Sequence, residues 1–354
     1  MRFPEFSGEW ENTELQYIAP NICSGKDKPT SNGTVALYGS TGIIGMTRLA
    51  SYNEEIVLVA RVGANAGQLQ ITTIPCGVTD NTLIINAKEW NRYIYYYLQH
   101  YNLNRLVFGS GQPLITGSML KKLKIIYGEE SERNKIVNLL CLLDERIATQ
   151  NKIIEDLKKL KCAIIEKLYT EIQGEEYSYG QLLEIVNERN KQMGYSNILS
   201  ASQEKGMVNR EDLNLDIQFE HNNISTYKIV REGDYVIHLR SFQGGFAFSD
   251  KLGVCSPAYT ILRPNRLLEF GYLSYYFMSQ RFIKSLIIVT YGIRDGRSIN
   301  VEEWLNMKTV IPSKEHQLHI LKVLRSIEGK IKNEETYATC LSNQKQYLLQ
   351  QMFI

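Results

Sequence analysis

A heptad pattern of apolar residues occurs twice in this 354-residue chain. Its a and d positions alternate in steps of four and three, which is typical of a coiled coil. The first set is Ile136, Leu140, Leu143, Ile147, Gln150, Ile154, Leu157, Lys161, Ile164 and Leu168. Adding 184 to each number (320 − 136 = 184) gives the second set: Ile320, Leu324, Ile327, Ile331, Glu334, Ala338, Leu341, Lys345, Leu348 and Met352. Polar residues interrupt both sets at the same two places.

The heptad pattern predicts two long helices that bury their apolar faces against each other in a fixed register. The alternative is that each helix packs only on its own domain.

The segments between these helices also repeat. Strand-like runs at 56–61 and 81–85 precede a tyrosine-rich helix at 92–101, and the same order returns at 235–240, 258–262 and 270–278. Duplication at this length indicates two copies of one globular domain. We therefore predict an α+β fold with two globular α/β domains, separated by two long antiparallel coiled-coil helices and related by a pseudo-twofold repeat. The expected boundaries are 1–128 for the first domain, 129–173 for the central helix, 174–312 for the second domain and 313–354 for the distal helix.

Composition and cysteine usage narrow the class of protein. The apolar content of 44% and charged content of 22% are ordinary for a soluble globular protein. The six cysteines form no C-x-x-C pair, so we expect reduced thiols and a cytoplasmic location. The N-terminus shows no secretory h-region, and no stretch approaches the roughly 20 apolar residues that cross a membrane. A net charge of +2 excludes coating of DNA by bulk charge, but it allows local basic surfaces.

Catalytic motifs are absent from the sequence. It contains no P-loop, no H-E-x-x-H zinc motif and no G-x-S-x-G nucleophile elbow. It also lacks the N-P-P-[YF] or D-P-P-[YF] motif of amino-methyltransferases. His316 and His319 lie three residues apart, but we interpret them as solvated helix surface rather than a metal site. We therefore expect a non-catalytic chain with no metal and no cofactor of its own.

Basic and small polar residues in loops suggest a surface that contacts nucleic acid, because they suit phosphates and base edges. Arg61 and Arg240 each follow a predicted strand and precede glycines. Each arginine either reads a guanine edge or forms an internal salt bridge that fixes the turn. The full set of candidates is Lys26, Lys28, Ser31, Asn32, Arg61, Gln112, Thr116, Arg240, Ser241, Gln243, Arg294, Arg297 and Asn300.

Several stretches resemble the specificity subunit of Type I restriction-modification systems. They are Arg2–Trp10, Leu37–Gly45, Leu239–Gly245, Ser256–Thr260, Ile311–Gln317 and Leu341–Phe353. The resemblance implies that each globular domain is a target-recognition domain for one half of a split, asymmetric DNA sequence. It further implies that the helices act as a ruler for the spacer and as a platform for partner subunits.

The partners implied by the resemblance are double-stranded DNA, two modification (methyltransferase) subunits and two restriction (motor-nuclease) subunits, with no membrane. S-adenosylmethionine, ATP and Mg would belong to those partner subunits. Two rival hypotheses remain: a coiled-coil scaffold that does not itself read DNA, and an enzyme whose active site the motifs do not reveal.

Overall fold

The computed structural model describes residues 2–106, 113–202, 205–213, 221–238, 245–291 and 298–353. The chain divides into two compact units. The first unit comprises residues 1–152 and 335–354, and the second comprises residues 153–334. Both long helices therefore contribute to both units. None of the helices described is long and apolar enough to cross a membrane.

The first unit is a mixed α/β structure. Its described strands are β1 (Glu11–Glu14), β2 (Cys23–Ser24), β3 (Val35–Gly39), β4 (Gly42–Thr47), β5 (Val57–Ala60), β6 (Leu69–Ile71), β7 (Cys76–Val78), β8 (Thr82–Ile85) and β9 (Lys124–Tyr127). Its helices are α1 (Leu15–Ile18), α2 (Asn91–Tyr101), α3 (Gly117–Lys121) and the first part of α4 (Glu130–Thr170). The sheets have the orders β2-β8-β5-β6, β4-β3-β7 and β1-β9. Helix α2 packs on β5 and β6 because its buried face carries tyrosine, isoleucine and leucine.

The second unit repeats much of this arrangement. Its described strands are β10 (Glu175–Ser178), β11 (Leu183–Val186), β12 (Leu199–Ser202), β13 (Gly206–Asn209), β14 (Lys228–Val230), β15 (Tyr235–Ile237), β16 (Phe246–Phe248), β17 (Gly253–Cys255), β18 (Thr260–Pro264), β19 (Thr290–Tyr291), β20 (Ser298–Ile299) and β21 (Lys308–Ile311). Its helices are α5 (Tyr179–Leu182), α6 (Tyr272–Tyr276), α7 (Gln280–Ser285), α8 (Val301–Asn306) and the first part of α9 (Lys314–Met352).

The internal repeat predicted from the sequence is confirmed by sheet topology. The four-stranded sheet β2-β8-β5-β6 of the first unit corresponds to β11-β18-β15-β16 of the second. An antiparallel pair leads into each long helix, β1-β9 before α4 and β10-β21 before α9. The units differ beside these shared parts: the first has the sheet β4-β3-β7, whereas the second has the separate pairs β12-β13 and β14-β17.

The seam of each long helix lies where the heptad pattern places it. All twenty predicted a and d residues are buried or half-buried. In the first unit, Leu140 and Leu143 of α4 share a core cluster with Leu349 and Met352 of α9. The alternative was that each helix packs only on its own domain, the one that precedes it in the chain. This alternative is wrong, because the end of α9 lies in the core of the first unit. The predicted boundaries at 128, 173 and 312 stay a prediction.

The seam of the first unit contains a lysine–carboxylate–tyrosine cluster. Lys345 Nζ on α9 lies 2.6 Å from Asp144 Oδ1 on α4. The hydroxyl of Tyr96 on α2 donates to Asp144 Oδ2 at 2.8 Å, and the Lys345 ammonium lies 5.4 Å from the centre of the Tyr96 ring. In the same unit Arg146 lies 5.7 Å from the ring of Tyr337. Residue numbers therefore rise along α4 as they fall along α9, so the two segments run antiparallel.

The second unit contains the same cluster with the two long helices exchanged. Lys161 Nζ on α4 lies 2.6 Å from Glu328 Oε1 on α9. The hydroxyl of Tyr275 on α6 donates to Glu328 Oε2 at 2.6 Å, and the ammonium lies 5.4 Å from the Tyr275 ring centre. Both members of the ion pair obey the repeat offset (345 − 161 = 184; 328 − 144 = 184). We call these two clusters the ion triads.

Candidate nucleic-acid interface

The loop 24–34 of the first unit presents four of the predicted contact residues to solvent. Lys26, Lys28, Ser31 and Asn32 are all exposed. Asp27 anchors the loop, because Oδ1 accepts from the Ser51 hydroxyl at 2.6 Å and Oδ2 accepts from the Val78 amide at 2.8 Å. The carboxylate between the two lysines is thus turned inward. Positive charge and small polar groups remain on the outer side, as a phosphate-binding surface requires.

Arg61 lies at the root of this loop, directly after β5. Its Nη1 donates to the Ser24 hydroxyl at 3.3 Å, whereas its Nε is buried without a hydrogen-bond partner. Among the described residues Arg61 forms no ion pair, so the internal salt bridge considered for it is not found there. The guanidinium therefore adds positive charge at the Ser24 end of the loop. Whether it reads a base stays a prediction.

Thr116 and Asn300 occupy equivalent places in the two units, and each caps a helix. The Thr116 hydroxyl accepts from the Met119 amide at the start of α3, and the Asn300 side-chain oxygen accepts from the Glu303 amide at the start of α8. Hydrogen bonds of this kind satisfy the first amides of a helix. The structural role of both side chains as caps accounts for their position, and DNA contact by either one stays a prediction.

Six of the predicted contact residues lie outside the described part of the chain. They are Gln112, Arg240, Ser241, Gln243, Arg294 and Arg297. Their contribution to an interface stays a prediction.

The second unit presents a loop that corresponds to loop 24–34 and that the sequence analysis missed. Residues 187–198 follow β11, as loop 24–34 follows β2. The buried Asn190 braces the loop, since its side-chain amide donates to the Tyr195 carbonyl at 2.8 Å and its oxygen accepts from the Tyr195 amide at 3.2 Å. Arg189, Lys191 and Met193 are exposed on it. The offset of 184 residues does not locate this loop (24 + 184 = 208), so the correspondence is visible only in the sheet topology.

An apolar hairpin beside loop 24–34 was also missed. Strands β3 and β4 are joined by a two-residue turn, and β4 is an edge strand. Ile43, Ile44 and Met46 on β4 are about half exposed, at 55%, 54% and 48%. Gly39 and Gly42 are the strand ends that flank the turn of this hairpin.

The described residues offer no built metal site. No group of three or more histidine, cysteine, aspartate or glutamate side chains in them is arranged to hold an ion. His316 and His319 are both exposed on α9, in agreement with their interpretation as helix surface. The six cysteines are free, and burial raises the pKa of the Cys255 thiol to about 12.

The chain is similar to proteins of Type I restriction-modification systems. Residues 2–159 match the family model described as Type I restriction modification DNA specificity domain. The Type I restriction enzyme MjaVIII specificity subunit of Methanocaldococcus jannaschii is 25% identical over 320 residues, which cover 79% of this chain and 73% of the relative.

Solved structures share the fold of this chain. The S subunit of the Type-I restriction-modification system from M. genitalium superposes with a TM-score of 0.60 at 15% identity, over 98% of this chain and 96% of that chain. A chain from a structure of complex assembly and conformational transition of the type I R-M system gives a TM-score of 0.59 at 14% identity, over 97% of both chains. These likenesses show the fold. The matched specificity domain and the curated relative make this chain similar to the specificity subunits of Type I restriction-modification systems.

Proposed function

We propose that this chain reads a bipartite, asymmetric target in double-stranded DNA, with one half-site for each unit. The observation that carries the proposal is the duplicated four-stranded sheet, in which each copy presents a loop with exposed cations after its first strand. Loop 24–34 presents Lys26 and Lys28, and loop 187–198 presents Arg189 and Lys191. The loops differ in sequence and in their surroundings, so the two half-sites should differ as well.

The two long helices are proposed to set the length of the spacer and to dock two modification subunits. Support comes from the ion triads, which fix the register of the helices in each unit. Two restriction subunits would complete the enzyme. S-adenosylmethionine, ATP and Mg would bind to those partners, and the whole assembly would act in the cytoplasm, where its DNA lies.

Selection of DNA from a random-sequence duplex library tests the proposal. The full chain, together with a modification subunit from the same source, should enrich two short blocks at a fixed spacing. Binding should weaken with salt, because lysine and arginine contacts to phosphates release counterions. A coiled-coil scaffold that does not read DNA would enrich no sequence, and enrichment of one uninterrupted block would contradict the bipartite target.

A further inference from the structure

The tip of the β3–β4 hairpin exposes an unusual pair of adjacent isoleucines. Leu37 pairs with Gly45 and Tyr38 pairs with Ile43, so Ile44 is the extra residue of a β-bulge. A bulge bends its strand and re-aims side chains, which explains why two consecutive residues are both more than half exposed. Exposed apolar residues on an edge strand invite non-specific pairing, and their concentration at one place indicates a binding surface.

The hairpin tip is held in position by the neighbouring sheet. Gln70 on β6 donates from its side-chain amide to the carbonyls of Gly39 and Ser40, both at 3.0 Å. Gly39 also leaves room for Ile44, because a Cβ at this position would come within 2.9 Å of the Ile44 side chain. The two isoleucines are therefore presented on a braced turn, and little conformational entropy would be lost on binding.

The charge around the hairpin favours a polyanionic partner. Residues 24–51 contain three cations, Lys26, Lys28 and Arg48, and one carboxylate, Asp27. All three cations are exposed, whereas Asp27 accepts hydrogen bonds from Ser51 and Val78. The loop and hairpin are joined directly, since the Thr30 amide donates to the Met46 carbonyl at 3.0 Å and Arg48 Nε donates to the Ser31 carbonyl at 3.2 Å. Apolar side chains thus project from within a positively charged rim.

We infer that the β3–β4 hairpin enters the major groove of the first half-site and that Ile43 and Ile44 contact thymine methyl groups there. This inference rests on the proposed function. The major groove, about 12 Å wide, accepts a two-stranded ribbon, and apolar side chains read the C5-methyl group of thymine in it. Lys26, Lys28 and Arg48 would then meet the phosphates that border the groove.

Replacement of thymine by uracil in the selected duplex tests the inference, because it removes only the methyl group. For the full chain with its modification subunit, replacement of thymine in one block should weaken binding about fourfold for each contacted methyl, the ratio that burial of one such group gives. The double variant Ile43→Ser with Ile44→Ser should bind the thymine and uracil duplexes equally. The milder double variant Ile43→Val with Ile44→Val should retain part of the difference.

A matched control uses a second exposed isoleucine pair among the described residues, Ile287 and Ile288, which are 60% and 75% exposed in the second unit. The variant Ile287→Ser with Ile288→Ser should keep the thymine preference of the first block. A second control is the double variant Lys26→Ala with Lys28→Ala. The logarithm of its DNA-binding constant should depend less steeply on the logarithm of the salt concentration, by about one unit of slope for each phosphate that it no longer neutralises. Its preference for thymine over uracil should be unchanged. Thermal melting of each variant checks that it folds.

Several outcomes overturn the inference. The first is that the wild type enriches two blocks but binds the thymine and uracil duplexes equally at every thymine. The second is that the Ile43→Ser, Ile44→Ser variant still prefers thymine to uracil. If that variant binds DNA normally but no longer co-purifies with the modification subunit, the hairpin is a protein-binding surface instead. Failure of the wild type to enrich any sequence is a different result, because it removes the proposed function itself.

Discussion

At the scale of single residues, His100 shows how burial couples protonation to stability. It lies on α2 with its ring 5.6 Å from that of Phe353, near the end of α9, and its Nδ1 is buried without a hydrogen-bond partner. Burial lowers the pKa of His100 below its ordinary value of 6.5. A backbone interaction with Leu349 opposes this shift only in part, and the charge of Arg105 adds to it. The unfolded chain therefore takes up a proton at a higher pH than the native protein does. Stability is present in full above the ordinary pKa and is lost as pH falls below it.

We predict that the free energy of unfolding decreases when the pH is lowered from about 7.5 to about 5.5, because the unfolded chain binds the proton more readily than the buried His100 does. Chemical denaturation of the wild type and of His100→Phe measures this. The variant should lose that part of the pH dependence, whereas His316→Gln, at an exposed histidine, should keep it. An identical pH dependence in wild type and His100→Phe would show that His100 contributes nothing.

The contact residues could be predicted from the sequence only in part. Lys26, Lys28, Ser31 and Asn32 were found because polar residues cluster in a loop, and all four are exposed. Thr116 looks like any loop residue in the sequence, because its capping hydrogen bond depends on the backbone of α3. The exposed pair Ile43 and Ile44 looks like core, since apolar residues are usually buried and the sequence does not show that β4 lies at an edge.

At the scale of secondary structure, the runs with strong patterns were predicted well. The predicted strands at 56–61 and 81–85 appear at 57–60 and 82–85, and the predicted helix at 92–101 appears at 91–101. Strand β4 was missed because Gly-Ile-Ile-Gly-Met-Thr has no alternation of apolar and polar residues and contains a β-bulge. The interruptions of the heptads at Lys161 and Lys345 were visible, but their partners were not: Asp144 and Glu328 lie outside the a and d positions.

The ion triads predict equal coupling in the two units. In a double-mutant cycle, Asp144→Asn and Lys345→Met should show a coupling free energy of about 0.5–1.5 kcal/mol, above most surface pairs because both side chains are partly buried. Glu328→Gln and Lys161→Met should give a similar value, since the geometry repeats. Chemical denaturation of the single and double variants measures both.

The exposed pair of Lys159 and Glu155 on α4 serves as the control for these cycles. Its side chains are 68% and 64% exposed, so its coupling should not exceed about 0.5 kcal/mol. The tyrosine of each triad should matter as well: Tyr96→Phe leaves one Asp144 oxygen without its 2.8 Å donor and should cost about 1 kcal/mol. If only one of the two triads shows a coupling free energy, the internal repeat extends to the geometry of the triads but not to their contribution to stability.

At the scale of the whole molecule, the internal repeat carried most of what the sequence could predict. The offset of 184 residues relates the two heptad seams, and the same offset relates Asp144 to Glu328 and Lys161 to Lys345. The antiparallel helices were predicted, but the sequence did not reveal that the start of one and the end of the other join the core of a globular unit, because such contacts connect residues far apart in the chain. Leu140 and Met352, for example, lie in one core cluster.

The repeat also defines a change that shortens both long helices by one heptad. This variant lacks residues 147–153 and 331–337, two segments related by the same offset (331 − 147 = 184; 337 − 153 = 184). The double deletion preserves the a and d phase of each seam and keeps both ion triads. Seven residues correspond to about 10 Å of helix, or about three base pairs of B-DNA. If the helices set the spacer, DNA selection with this variant should recover the same two half-sites at a spacing about three base pairs shorter. Removal of only one of the two segments offsets one seam against the other, and it should lower the melting temperature and abolish selection. An unchanged spacing in the doubly shortened chain, or altered half-sites, would contradict the role of the helices as a ruler and leave the two units as independent readers.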